Sequence, residues 1–131
     1  MGLFDLFRSN SKNEKFGHLK ALIALSLADG DSSKVESELI ATIAHREGLS
    51  ERDLEQCLRN LPSVEYVIPK DIATKAKYLK DMVALMMCDG DINDNELALC
   101  KITAKMFGYR EEVIDAMMLD IINDLKQELN L

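Results

Sequence analysis

The chain has 131 residues, of which 47% are hydrophobic and 5% aromatic, and it carries a net charge of −7 with only two prolines. This length suits one domain with a hydrophobic core, and the low β-branched and aromatic content favours helices over a β-sandwich. The acidic charge, without a run of Lys or Arg, argues against a nucleic-acid partner. Three cysteines without a CxxC pair, no signal peptide and no apolar run near the ~20 residues of a membrane span predict a cytoplasmic protein.

The first predicted elements are a short amphipathic helix over residues 2–8 and a longer helix from Glu14 to about Asp29. The longer helix is apolar almost all round, so we expect it at the centre of the fold. The short helix has an apolar face that is either a membrane contact or a cover for the bundle. This face consists of Leu3, Phe4, Leu6 and Phe7.

A turn and two further helices are expected next. Gly30 is placed to end the central helix in the left-handed conformation. Ser33 and Glu36, three residues apart, form a capping box that predicts a helix start. The apolar residues of that helix keep a helical period until Gly48, and Ser50 begins another short helix.

The second half of the chain predicts the same order of elements. After a linker, Pro69 is placed to begin a long apolar helix and Gly90 to end it. Asn93 and Glu96 are the cap pair of the following helix. A last helix is expected from its apolar residues at helical spacing between Val113 and Leu129.

The two halves are copies of one unit. With an offset of 60 residues, residues 19–51 align without gaps on residues 79–111, and 12 of these 33 positions are identical. Unrelated segments would share about two. We therefore predict one all-α domain, residues 1–131, with about seven helices and repeat units at about residues 14–61 and 71–131. The two apolar helices are expected to pack together near a pseudo-two-fold axis.

The densest match between the copies is an Asp-Gly-Asp turn followed by a glutamate. The acidic residues of the two turns are Asp29, Asp31, Glu36, Asp89, Asp91 and Glu96. Carboxylates suit Ca²⁺, Mg²⁺ or Mn²⁺, so these six residues are the predicted metal ligands. Asp29 and Asp89 are expected in the last turn of a helix, where the negative end of the dipole disfavours them. Because both copies keep this unfavourable placement, we suspect a bound cation.

Much of this pattern also has a structural explanation. Gly30 and Gly90 serve as helix stops, and each glutamate serves in a helix cap. An EF-hand does not fit, because placing Gly90 at loop position 6 puts Leu85 and Met87 where carboxylates belong. Ligands would have to come from both turns or from a partner. No catalytic motif is present, and a hydrolase at a carboxylate–metal site would lack a base or nucleophile, so we predict that the protein is not an enzyme.

At these paired turns the sequence resembles the TerB-like family, the tellurite-resistance protein B group. The resemblance covers roughly residues 14–112 and rests on residues 25–30, 36 and 44–49, repeated at 85–90, 96 and 104–109. It implies an all-α bundle of about seven helices with an internal duplication. It also implies a bacterial stress-response role, often linked to tellurite and to membrane-associated complexes. The divalent cations proposed for the family's acidic residues carry over to the six carboxylates above. Cys88 departs from the more usual Ala, which should affect packing rather than ligation.

Two functions remain open. The first is a cation-linked interaction module of a stress response, cytoplasmic or peripheral at the inner membrane, that docks onto protein or membrane-associated partners. The second is a structural scaffold that binds proteins and holds no metal. Neither involves a small-molecule substrate or nucleic acid. They differ in whether a divalent ion binds and stabilises the fold.

Overall fold

A computed structural model describes residues 3–28, 30, 33–61 and 66–129, with side chains from Lys12 onward. This part of the chain contains six helices and no strand, which confirms the predicted all-α fold. The helices are α1 (Leu3–Ser26), α2 (Lys34–Arg46), α3 (Glu51–Arg59), α4 (Ile72–Met87), α5 (Asp94–Met106) and α6 (Glu112–Glu128).

The first helix is longer than predicted. It begins at Leu3, so the helices expected over residues 2–8 and 14–29 are one continuous element. The polar residues 9–11 between them are weak helix formers, yet neither glycine nor proline interrupts the chain there. The described residues therefore form six helices rather than about seven. The side chains of Leu3, Phe4, Leu6 and Phe7 lie outside the described part, so membrane contact by this face stays a prediction.

The two apolar helices of the repeat form the centre of the fold, as predicted. α1 and α4 pack against each other more extensively than any other pair of helices. Full burial of a Leu or Met side chain stabilises the fold by about 1.5–3 kcal/mol each. The fully buried large residues of these two helices are Leu19, Leu22, Leu25, Leu79, Met82, Leu85 and Met86.

Side-chain caps begin α2, α3 and α5 where the sequence predicts them. Ser33 Oγ accepts a hydrogen bond from the backbone N–H of Glu36 (3.1 Å), and Glu36 Oε1 accepts one from the N–H of Ser33 (3.2 Å). Ser50 and Asp53 form a second capping box at α3. Asn93 caps α5 through its side-chain oxygen. Each such cap stabilises its helix by about 1 kcal/mol.

Glycines in the left-handed conformation follow the helices, as predicted, although α1 and α4 end a few residues earlier than expected. Gly30 and Gly90 have φ angles of 102° and 85°, which residues with a Cβ rarely adopt. At the end of α2 the N–H of Leu49 donates to the carbonyl of Ala44 over 2.9 Å, and the same bond closes α5. This hydrogen bond, whose donor lies five residues after its acceptor, satisfies a carbonyl that the helix end would otherwise leave unpaired.

The start of α4 differs from the prediction. The helix begins at Ile72 and is capped by Asp71, whose side chain accepts a hydrogen bond from the N–H of Thr74 over 3.0 Å. Pro69 lies before this cap and is buried, in the segment 66–69 that is neither helix nor strand. Pro69 and Asp71 are both residues at which a helix can begin. The helix starts after the aspartate because its carboxylate satisfies a helical N–H that would otherwise be unpaired.

The last helix covers the core only in part. In α6 Ile114 is fully buried, whereas Leu119, Leu125 and Leu129 are exposed by 60%, 52% and 66%. The predicted apolar stripe is helical, but its C-terminal half extends past the core. No helix in the described residues is both long enough and apolar enough to cross a membrane.

Candidate functional site

The predicted metal ligands are Asp29, Asp31, Glu36, Asp89, Asp91 and Glu96. The first two lie outside the described residues. The two aspartates of the second turn are exposed to solvent. The two glutamates are buried, with exposures of 3% and 4%. The four carboxylates that the structure describes are therefore of two kinds, solvent-facing turn residues and buried cap residues.

Asp89 does not occupy the last turn of a helix, as the sequence predicted. α4 ends at Met87 and Cys88 is its C-cap, so Asp89 lies beyond the helix. Its Oδ1 accepts a hydrogen bond from the backbone N–H of Asp91 over 3.1 Å. This local turn gives the carboxylate a structural role and weakens the argument that the helix dipole demands a cation there.

Glu36 is the acidic residue that its cap leaves incompletely satisfied. Its Oε1 is used by the capping box, but its Oε2 is buried and accepts no hydrogen bond from any residue in the described part of the chain. A buried acceptor without a partner costs about 1–3 kcal/mol. This oxygen is therefore available to a donor or a cation.

Acidic residues from both copies act on the Cys88 thiol. Burial, together with the charges of Asp89, Glu36 and Glu96, raises the pKa of this thiol to about 11. Since these groups come from both repeats, Glu36 of the first copy lies near the same thiol as Asp89 and Glu96 of the second. Even so, among the residues described, no three His, Cys, Asp or Glu side chains are arranged to hold a metal ion.

A second constellation, which the sequence reasoning missed, is a polar cluster that extends from three buried side chains to the surface. It consists of His18, Arg46, Glu47, Lys77, Tyr78 and Asp81. Asp81 is 8% exposed and accepts two hydrogen bonds from Arg46, of 2.8 Å and 2.6 Å. His18 Nε2 lies 2.8 Å from the Oδ2 of Asp81. Bidentate Arg–carboxylate pairs are the stronger and more specific kind of ion pair.

Glu47 is the second acceptor of the polar cluster. Its Oε2 accepts from Lys77 Nζ over 3.0 Å, and its Oε1 accepts from the Tyr78 hydroxyl over 3.1 Å. The Tyr78 ring stacks on the His18 ring with centroids 3.8 Å apart and an angle of 7° between the planes. The stack connects the two carboxylates into one network that ties α1, α2 and α4 together.

The charge states of the polar cluster follow from burial and hydrogen bonding. Burial lowers the pKa of His18 despite the nearby Asp81 carboxylate, so the ring is neutral at pH 7 and donates its Nε2 proton to Asp81. Burial opposes the charge of Asp81, but hydrogen bonds from Arg46 and His18 outweigh it and hold the pKa of Asp81 below its usual value. Burial likewise opposes the charge of Glu47, but Lys77, Tyr78 and Arg46 together outweigh it and hold the pKa of Glu47 below its usual value.

An apolar cavity of about 160 Å³ lies between α1, α4, α5 and residues 66–68. His18 and Tyr78 contribute to its wall, so it adjoins the same stack as the polar cluster. The apolar residues around it include Gly17, Ala21, Met82, Leu99, Met106 and Phe107.

The polar cluster and the apolar cavity occupy equivalent positions of the two repeats. The offset of 60 residues carries His18 onto Tyr78, so the stack joins equivalent residues, as expected at a pseudo-two-fold axis. The other cluster residues correspond to residues that line the cavity: Lys77 to Gly17, Asp81 to Ala21, Arg46 to Met106 and Glu47 to Phe107. The difference in polarity is visible in the sequence, since Arg46-Glu47 in one copy aligns with Met106-Phe107 in the other. Only the structure shows that the differing positions meet.

Comparison with protein-family models, with curated proteins and with solved structures finds no match to this chain. The resemblance to the TerB-like family therefore stays a prediction.

Proposed function

We propose that this chain is a non-enzymatic interaction module of a bacterial stress response that binds a divalent cation at its paired acidic turns and docks onto protein partners. The observation that carries the cation site is the buried Oε2 of Glu36, which has no hydrogen-bond partner in the described residues. Ca²⁺, Mg²⁺ and Mn²⁺ favour such carboxylate oxygens. The role in tellurite or related stress, in the cytoplasm or at the inner membrane, rests on the family resemblance alone.

The remaining ligands would come from around the same region. Glu96 and Asp89 contribute charge at Cys88 together with Glu36, which supports a site shared by both turns. Because the described side chains supply no complete ligand set, Asp29, Asp31 or a partner must supply the rest.

The chemistry of the described nucleophiles supports a non-enzymatic role. Burial raises the pKa of the Cys57 thiol, and burial with the charge of Glu96 raises that of Cys100 to about 12. Thiols with raised pKa values are weak nucleophiles because little thiolate forms at neutral pH. His18, the buried imidazole, is held by its hydrogen bond to Asp81 and its stack on Tyr78.

Thermal unfolding with Ca²⁺, Mg²⁺, Mn²⁺ or EDTA tests the cation site. An ion at 100 times its dissociation constant should stabilise the wild-type protein by about 2.7 kcal/mol, which raises Tm by several degrees. Glu36→Gln should lose this shift, as should Asp29→Asn/Asp89→Asn. Glu38→Gln is the matched control, because Glu38 lies on the same helix with its side chain 66% exposed and should keep the full shift.

A metal-free scaffold is the second candidate. Two hydrogen-bonded features favour the metal-free scaffold. The Asp89 carboxylate accepts a hydrogen bond within its turn, and Glu36 takes part in a helix cap, so neither residue needs a metal ion to explain its presence. If no ion raises Tm and Glu36→Gln is at least as stable as wild type, the scaffold is correct and the cation site is wrong.

A further inference from the structure

The apolar cavity between α1, α4 and α5 has walls without a charged group. Its volume is about 160 Å³, close to that of cavities that hold a benzene ring. None of the described residues that line it is Asp, Glu, Lys or Arg, and burial lowers the pKa of His18, so that its ring is neutral. A charged molecule would lose its hydration there without gaining a partner. An occupant of this cavity is therefore small and uncharged.

The two hydroxyl groups in the buried part of the wall already have partners within the protein. The Tyr78 hydroxyl donates to Glu47 over 3.1 Å. The Thr103 hydroxyl donates to the carbonyl of Leu99 over 2.9 Å. Neither hydroxyl is therefore left without a hydrogen bond when the cavity is empty of polar groups.

His18, by contrast, has one ring nitrogen without a partner. Its Nε2 lies 2.8 Å from Asp81 Oδ2 and carries the proton that this carboxylate accepts. In a neutral imidazole the other nitrogen is then an acceptor, so Nδ1 presents a lone pair. No described residue donates a hydrogen bond to Nδ1, and the His18 side chain is only 2% exposed.

The position of Nδ1 follows from the buried polar atoms of the fold. Among the described residues, Glu36 Oε2 is the one side-chain oxygen or nitrogen that is both without a hydrogen-bond partner and completely buried. Since Nδ1 also lacks a partner, this atom must be accessible to a molecule of the size of water. The open space along His18 is the cavity, whose wall the residue forms. A single acceptor in an apolar wall is the kind of group that orients a ligand.

The rest of the wall favours an aromatic ring. Met82, Met106 and Phe107 line the cavity. Thioether sulfurs make favourable contacts with aromatic rings, and two aromatic rings attract each other in offset or edge-to-face arrangements. A flat ring with one polar substituent can therefore contact these side chains and donate its proton to Nδ1.

We propose that the apolar cavity is a binding site for a small neutral aromatic molecule whose O–H or N–H group donates a hydrogen bond to His18 Nδ1. The site goes beyond the proposed function, because none of the six acidic residues of the turns lines the cavity and no cation is needed. Two small residues, Gly17 and Ala21, leave room for the ligand where the other repeat carries Lys77 and Asp81.

Phenol and toluene are matched probes of this site, because they have nearly the same shape and only phenol has a donor. Each is titrated into the wild-type protein in EDTA, and long-range proton–nitrogen correlation spectra follow the histidine rings. Phenol should bind at least about tenfold more tightly, since toluene leaves Nδ1 unpaired. Phenol should also shift the Nδ1 resonance of His18, whereas toluene should not. The exposed His45 is the internal control and should respond to neither.

Two further measurements locate the bound phenol. In wild type, nuclear Overhauser contacts should join its ring protons to the methyl groups of Met82 and Met106. Ala21→Leu, which fills the cavity, should weaken phenol binding by at least about tenfold. Ala98→Leu, at an exposed position of α5, should bind phenol as wild type does.

Several results would overturn the proposal. It is wrong if wild type does not bind phenol, if toluene binds as tightly, or if His18 carries its proton on Nδ1. It is also wrong if the bound phenol contacts neither methionine, or if a folded Ala21→Leu variant retains full affinity. Because every titration is made in EDTA, failure of the cation site would leave these results unchanged.

Discussion

The polar cluster and the apolar cavity are two outcomes of one duplicated unit. Both adjoin the His18–Tyr78 stack, and their residues correspond at the offset of 60 positions. In the cluster, Arg46 and Asp81 fill the space with paired charges. In the cavity, Met106 and Ala21 leave it open and apolar. After duplication, one copy of the position pairs charges between helices, and the other is lined by apolar residues around an open space.

The difference also shows how buried charge depends on its partners. Asp81 is tolerated inside the fold because Arg46 and His18 supply three hydrogen bonds. Such pairs specify an arrangement more than they stabilise it, yet removing one partner leaves the other unpaired. An apolar wall has no such requirement, so the cavity side can lose side-chain volume without leaving an unpaired charge.

The largest expected effect comes from Asp81→Ala, which introduces the residue type of Ala21, the equivalent position of the other repeat. It leaves His18 and Arg46 without their acceptor, and we expect a loss of about 3 kcal/mol in the free energy of unfolding. Urea unfolding followed by circular dichroism measures it. Asp120→Ala, an exposed substitution on α6, should stay within about 0.5 kcal/mol of wild type. An equally small loss for Asp81→Ala would show that the cluster does not hold the helices together.

A smaller effect of opposite sign is expected for Ala21→Leu, which fills the cavity. Added apolar contact should raise the free energy of unfolding by about 1 kcal/mol, as cavity-filling substitutions commonly do. The same urea measurement applies, with Ala98→Leu at an exposed position of α5 as the control without gain. A loss of stability would mean that the space is too small for the three heavy atoms that leucine adds to alanine.

The smallest expected effect on the free energy of unfolding at neutral pH comes from His18, which instead makes stability depend on pH. Its pKa is lower in the folded protein than in the unfolded chain because burial disfavours the charged ring. Below the unfolded value of about 6.5 the unfolded chain therefore binds more protons, and stability falls as pH decreases towards the folded pKa. Unfolding free energies measured between pH 7.5 and about pH 5 should show this slope in wild type and lose it in His18→Gln.

His45→Gln is the control for this pH dependence, because His45 is exposed on α2. It should keep the wild-type slope. An unchanged slope in His18→Gln would show that groups other than the stacked imidazole cause the acid sensitivity. The loss of stability from Asp81 belongs to lower pH, since its depressed pKa gives stability that disappears only as pH falls below about 4.

Local signals determined most of the fold. Periodic apolar residues, the capping pair Ser33 and Glu36, and glycines such as Gly90 act within a few residues, so the helices and their ends follow from neighbouring positions. The internal alignment predicted that the two apolar helices meet at the centre. Where two nearby residues could each begin a helix, as Pro69 and Asp71 could, the sequence alone does not decide which one does.

The sites depend on contacts between distant positions, which only the tertiary structure decides. The sequence offered six carboxylates as metal ligands, whereas only the structure shows that Glu36 is buried and that Asp89 accepts a hydrogen bond within its own turn. His18 carried no local signal, since its partners lie 60 and 63 residues away. Hydrogen bonds and burial depend on which side chains share a space, and helical periodicity does not specify that. The repeat therefore fixed which positions are equivalent, and packing decided that one set pairs charges while the other encloses a cavity.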